Sequence, residues 1–174
     1  MITLEDLHAI CPGTKVDRLS LFVDSLNETM REFEIDVNPY RETHFLAQIC
    51  HESGAFHYVR ELASGDAYEG RSDIGNVQEG DGVRFKGRGL IQITGRANYR
   101  ECGTALGVDL EANPELLESP ENACRSAGWF WSKHHLNDLA DKGDIRGITK
   151  RINGGLNGFL DRQSYLALAQ ERLA

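Results

Sequence analysis

The sequence predicts a mainly α-helical fold interrupted by one glycine-rich loop region. Three observations carry this. Apolar residues recur at helical spacing through most of the chain, as at Val16, Leu19, Phe22, Val23, Leu26, Met30 and Phe33. Helix-start residues stand ahead of those stretches, as in Asn38-Pro39 and Ser119-Pro120-Glu121. Between them, residues 64–89 carry glycine at 65, 70, 75, 80, 82, 87 and 89.

In chain order, Thr3 with Asp6 forms a capping box that opens a short helix. One amphipathic helix is expected over residues 16–33. A second begins after the Asn38 cap, buries Phe45, Leu46 and Ile49, and ends near Glu52, with Gly54 as its left-handed stop. Residues 64–89 are expected to be an ordered functional loop, because Tyr68, Ile74, Val77, Val83 and Phe85 are interleaved with the glycines. Short strands are expected at 83–85 and 90–93. Helices resume at Ala97–Leu106 and after Ser119, with Ala123, Ala127, Phe130 and Trp131 on the buried side. Asp144 caps a helix stopped by Gly154-Gly155, and a last helix runs from Phe159 to Leu173.

The length of 174 residues fits a single domain, 1–174, without a separate binding module. The net charge of −8 and the absence of a basic stripe argue against a nucleic-acid partner. No segment is apolar for long enough to span a bilayer, so no stable membrane insertion is expected. The N-terminus lacks the basic start and apolar run of a signal peptide, which predicts a cytoplasmic protein. The four cysteines, Cys11, Cys50, Cys102 and Cys124, form no CxxC pair and are expected to be core thiols.

Several chemistries are poorly supported. His51 and His57 are six apart with Gly54 between them, which does not fit a zinc helix, so no metal is expected and His51 is read as a packing or orienting residue. Gln92 stands where a dinucleotide-binding GxGxxG needs its third glycine, and no nucleophile elbow surrounds Ser53. Carboxylates remain, and glycoside hydrolysis needs two of them. Glu52 sits at a helix C-terminus among apolar neighbours, where dipole and desolvation both favour the protonated form. Glu52 is therefore a candidate acid, the alternative being an ordinary surface glutamate. For the second carboxylate the residues leave Glu61, Asp66, Glu69, Asp73, Glu79 and Asp81 open.

Five motifs in order, HESGAF, RELASGDAYEGR, FKGRGLIQITGRANY, INGG and DRQSY, resemble glycoside hydrolase family 19 over roughly residues 40–165. The likeness is greatest to the chitinase-like lysozymes of bacteriophages. The resemblance implies a lysozyme-like fold of two lobes about a central cleft, with a small loop/β region. It implies an inverting mechanism without cofactor. Carried onto this chain, it makes Glu52 the general acid, Glu61 the general base with Glu69 in reserve, and Thr94 the holder of the attacking water. It assigns substrate contacts to Gln92, Asn98, Tyr99, Asn153 and Arg162, the last orienting a catalytic carboxylate. It further implies a monomer that cuts peptidoglycan glycan strands, held in the host cytoplasm until a holin opens the way to the wall. A chitinase, a lytic transglycosylase and a non-catalytic glycan-binding module are the alternatives. Tyr58, Tyr68 and Tyr99 are candidate stacking faces, and Trp129 and Trp131 are expected in the core.

Overall fold

The computed structural model describes residues 1–173. Its helices are α1 (Leu4–Ile10), α2 (Val16–Ser20), α3 (Val23–Glu32), α4 (Pro39–Glu52), α5 (Asp81–Arg84), α6 (Arg96–Leu106), α7 (Pro120–Lys133), α8 (Leu136–Ala140), α9 (Ile145–Asn153) and α10 (Phe159–Leu173). Among the described residues the only β pairing is two isolated bridges, Arg60 with Arg88 and Arg88 with Ile93.

The expected starts are present. The Thr3–Asp6 capping box forms, the Asn38 side chain accepts from the Arg41 N–H, and Ser119 and Asp144 cap α7 and α9. Each cap satisfies an amide that the first helical turn leaves unpaired. Two expectations fail. The helix over 16–33 breaks at Leu21–Phe22 into α2 and α3, so that Leu19, Phe22 and Leu26 all reach the core. Residues 83–85 are not a strand: Val83 lies in α5, whose Gly82 N–H is bound by Glu69 of the loop, and 90–93 contributes only the single bridge at Ile93.

The centre is α4. Its residues from Thr43 to Cys50 are all buried. Helix α10 runs against it, α8 touches it, and α7 packs between α3 and α6. Gly128 of α7 lies against Phe33 and Thr29, a closeness that a Cβ would forbid. Trp131 is buried edge-on to Phe45, with centroids 5.3 Å apart, and its indole N–H donates to Asn137. All four cysteines are buried and free, with Cys11 and Cys50 sulfurs 3.3 Å apart. Burial pushes the Cys102 thiol up to about 12.

Candidate active site

Helix α4 ends on Glu52, and the chain then reverses through three consecutive left-handed residues, Gly54, Ala55 and Phe56, with φ of 57°, 55° and 66°. Such a turn is costly for non-glycine residues and needs outside support. Ser53 supplies part of it: its hydroxyl donates to the Ile49 carbonyl and accepts from the Phe56 N–H. The N-terminal segment, outside the motifs, supplies the rest. Thr14 donates to the Ala55 carbonyl at 2.8 Å, Arg18 Nε donates to the Phe56 carbonyl at 2.8 Å, and Phe22 packs on Phe56.

Behind Glu52 lies a buried polar chain. Arg162 of α10 is 1% exposed, and its Nη2 lies 2.6 Å from Glu52 Oε1 in an ion contact whose N–H direction misses hydrogen-bond geometry. Arg162 Nη1 donates to Gln48 Oε1 at 2.5 Å, and its Nε to the Asn157 carbonyl at 3.2 Å. Gln48 in turn donates to Thr149 of α9 at 3.4 Å. A second pair runs parallel, His51 Nδ1 with Asp161 at 2.7 Å, and Gly158 packs directly on the His51 ring. Thus His51-Glu52 on α4 faces Asp161-Arg162 on α10. The expected helix-end field at Glu52 is met by a buried guanidinium of opposite sign.

From the turn, the chain leads into Val59–Glu61, which lies along the glycine block. Glu61 N–H donates to the Gly87 carbonyl, and Gly89 N–H to the Val59 carbonyl. Glu61 Oε2 accepts from the Gly87 N–H at 2.9 Å and from the Tyr68 hydroxyl at 3.1 Å, while Oε1 is buried without a protein donor. Burial, and then the neighbouring Glu61 carboxylate, push the Tyr68 phenol up.

Gly87 is the point of convergence. A Cβ built there would come within 2.6 Å of Glu61 Oε2, 2.6 Å of Gln92 Oε1 and 3.3 Å of Thr94 Oγ1. Gln92 reaches this position with a left-handed backbone, φ 60°. Buried Arg88 fixes the block by donating to the Arg84 carbonyl, the Tyr99 hydroxyl and Glu118.

Beside this point opens a cleft of about 420 Å³, lined by Tyr68, Arg71, Gln92, Thr94, Asn98 and Trp129 among others. Of the residues expected at the site, Gln92, Thr94 and Asn98 therefore share one wall, with Glu61 at its edge. Others lie elsewhere. Tyr99 is buried, donating to the Lys86 carbonyl and accepting from Arg88, so it holds the wall instead of touching a ligand. Arg162 is likewise too buried to contact a glycan; its contact is Glu52. Asn153 is exposed at the end of α9 and is not among the residues lining the cleft. Glu69 has both oxygens committed, to the Gly80 and Gly82 N–H groups at 2.8 and 2.7 Å, so it braces the loop. Tyr58 is exposed and lies against Gly54. Trp129, expected in the core, is half-buried on the cleft wall; helical periodicity alone does not distinguish a core from a cleft-lining face.

The family model for chitinase class I (Glyco_hydro_19) matches residues 42–157. The chain belongs to glycoside hydrolase family 19. A family 19 domain-containing protein of Haemophilus influenzae is 32% identical over 157 residues, covering 72% of this chain and 76% of that one. An endochitinase of Arabidopsis thaliana is 40% identical over 111 residues, covering 63% of this chain and 38% of its own length. The family 19 chain thus spans well under half of that plant relative. Chitinase C from Streptomyces griseus superposes with a TM-score of 0.80 at 20% identity, covering 99% of this chain and 76% of that one. A bacterial family 19 chitinase gives 0.77 at 21% identity, covering 97% and 93%. These superpositions establish the mainly helical, lysozyme-like fold of the family 19 hydrolase.

Proposed function

We propose that this family 19 hydrolase is an endolysin-type muramidase, cutting the β-1,4 bond from N-acetylmuramic acid to N-acetylglucosamine in peptidoglycan by inversion. The observation that carries the reaction type is the convergence of Glu61, Gln92 and Thr94 on Gly87 at the edge of the cleft. In this reading Glu52 is the general acid, giving its proton to the leaving oxygen. Glu61 is the general base, taking a proton from the water that attacks the opposite face of the sugar, a mechanism that requires the two carboxyls to stand roughly 6.5–9.5 Å apart. Thr94 holds that water, since a hydroxyl both donates and accepts. Arg162 and Gln48 orient Glu52. Glu61 is favoured over Glu69 because Oε1 of Glu61 is free of protein donors, whereas Glu69 is bonded at both oxygens.

The preference for peptidoglycan rests on the phage-type motifs, above all the short spacing from Glu52 to Glu61 within HESGAF and RELASGDAYEGR. Residues 1–174 then act as one catalytic domain, a monomer that waits in the host cytoplasm until a holin gives access to the wall. A second reading, hydrolysis of poly-N-acetylglucosamine, is favoured by the relatives, whose names include endochitinase.

Digestion of purified peptidoglycan and of chitin, with mass spectrometry of the fragments, tests both. Reducing muramic acid ends are expected from the wild type, none from Glu52→Gln, and few from Glu61→Gln, with both variants folded. Anhydro ends, or full activity in Glu61→Gln, would overturn the two-carboxylate mechanism. Cleavage of chitin alone would select the second reading.

A further inference from the structure

One end of the cleft carries two cations and a histidine. Arg71 comes from the glycine-rich loop, and Lys133 and His134 from the end of α7, beside Trp129 and Phe130. No aspartate or glutamate lines this cleft, although the chain as a whole carries a net charge of −8. Arg151 of α9 adds a further guanidinium at the outer edge, donating to the His134 carbonyl at 3.0 Å. The His134 ring stacks on Phe130 with centroids 4.2 Å apart and has no hydrogen-bond partner among the described residues. Burial, then the charges of Lys133 and Arg151, hold its imidazole below the usual histidine value.

The cations have counter-ions, but exchangeable ones. Lys133 pairs with Glu101, and Arg71 with Asp73, and neither acid lines the cleft. All four side chains are at least 36% exposed. Exposed pairs of this kind contribute little, so a ligand carboxylate can replace the internal partner. Lys133 also lies 5.1 Å above the Trp129 ring, which holds its ammonium at the cleft wall.

We propose that the Arg71–Lys133–His134 end of the cleft is a subsite for carboxylates carried on the glycan, namely those of the acidic peptide stems of peptidoglycan. This rests on the peptidoglycan reading above. A neutral poly-N-acetylglucosamine strand of the same backbone presents nothing to these charges.

The test compares two soluble substrates of equal backbone length, peptide-bearing oligomers from peptidoglycan and chitin oligosaccharides. The ratio of kcat/KM values on the two is measured for the wild type, for Arg71→Gln/Lys133→Gln, and for the charge-retaining Arg71→Lys/Lys133→Arg. The neutral variant is expected to lower the ratio about tenfold in favour of chitin, the size set by two partly exposed charge contacts. The charge-retaining variant should preserve it. Added salt should raise the wild-type KM for the peptide-bearing oligomers alone, because exposed charges are screened. An equal fall on both substrates, with no difference in salt response, would overturn the subsite while leaving the peptidoglycan reading standing. Failure of the wild type to cut the peptide-bearing oligomers would overturn that reading, and the subsite with it.

Discussion

At the scale of single residues, Gly87 and Gln48 are the most informative positions. Gly87 needs no unusual backbone; φ is positive at Gly89 and Gly95 but not here. Its lack of a side chain serves only to let Glu61, Gln92 and Thr94 close around it. Gly87→Ala should therefore displace these groups by a fraction of an ångström to an ångström. A fall in kcat of about a hundredfold is expected, because misplacement on that scale costs rate steeply. The loss of thermal stability should be small, and calorimetry beside kinetics separates the two. Gln48→Leu removes the acceptor of Arg162 Nη1 inside the core. Leaving a charged donor unpaired there should cost about 3 kcal/mol or more in urea unfolding. Gln48→Glu keeps an acceptor, but one that competes with Glu52 for the guanidinium. A shifted pH–rate profile in that variant would identify positioning of Glu52, which a purely structural role would not produce.

At the scale of elements, the pairing of α4 with α10 and the support of the turn after Glu52 set the position of that carboxylate. The three left-handed residues at 54–56 give that turn no stability of their own. Thr14, Arg18 and Phe22 hold it from α2 and its flanks. This is a function for the first forty residues that the motifs do not suggest. Arg18→Ala should cost about 1.5–3 kcal/mol, the range for a hydrogen bond to a charged group. It should also increase hydrogen exchange at Phe56 and Tyr58 before the rest of α4 opens. Uniform exchange across α4 would mean that the turn is held by other means.

At the scale of the whole molecule, acid should unfold the protein through a few paired carboxylates. Hydrogen bonds from Arg100 and Arg96 hold Glu111 at about 2 against an ordinary 4.5, and Arg41 with Asn38 holds Asp141 at about 2 against 3.8. Arg96 also bonds the buried Asp81 and lowers it. These folded-state values lie below the unfolded ones. The stabilisation is then fully present above roughly pH 4.5 and is lost as pH falls towards about 2. Below about pH 5 urea midpoints should decline as these carboxylates take up protons. Arg96→Met should start lower and decline less, since Asp81 loses its guanidinium partner and Glu111 keeps only Arg100. A parallel decline in both proteins would place the acid sensitivity elsewhere.

Much of this protein is determined locally and can be read without a structure. The caps at Thr3, Asn38, Ser119 and Asp144 and the stop at Gly54 depend on neighbours within a turn, so short-range chemistry is sufficient to predict them. The motifs likewise named Gln92, Thr94 and Asn98, which line the cleft. Other features depended on partners far along the chain. Trp129 and Trp131, two positions apart on α7, point to opposite sides of the helix; periodicity allows only one of them in the core, but that the other faces a cleft is decided by where the loop lies. Composition could not show that Glu69 is spent on Gly80 and Gly82, nor that Tyr99 supports Arg88 and the Lys86 carbonyl. The chain of Thr149, Gln48, Arg162 and Glu52 joins three helices over more than a hundred residues. Its geometry exists only once α4, α9 and α10 have packed, since a buried guanidinium is tolerable only where all its partners arrive together.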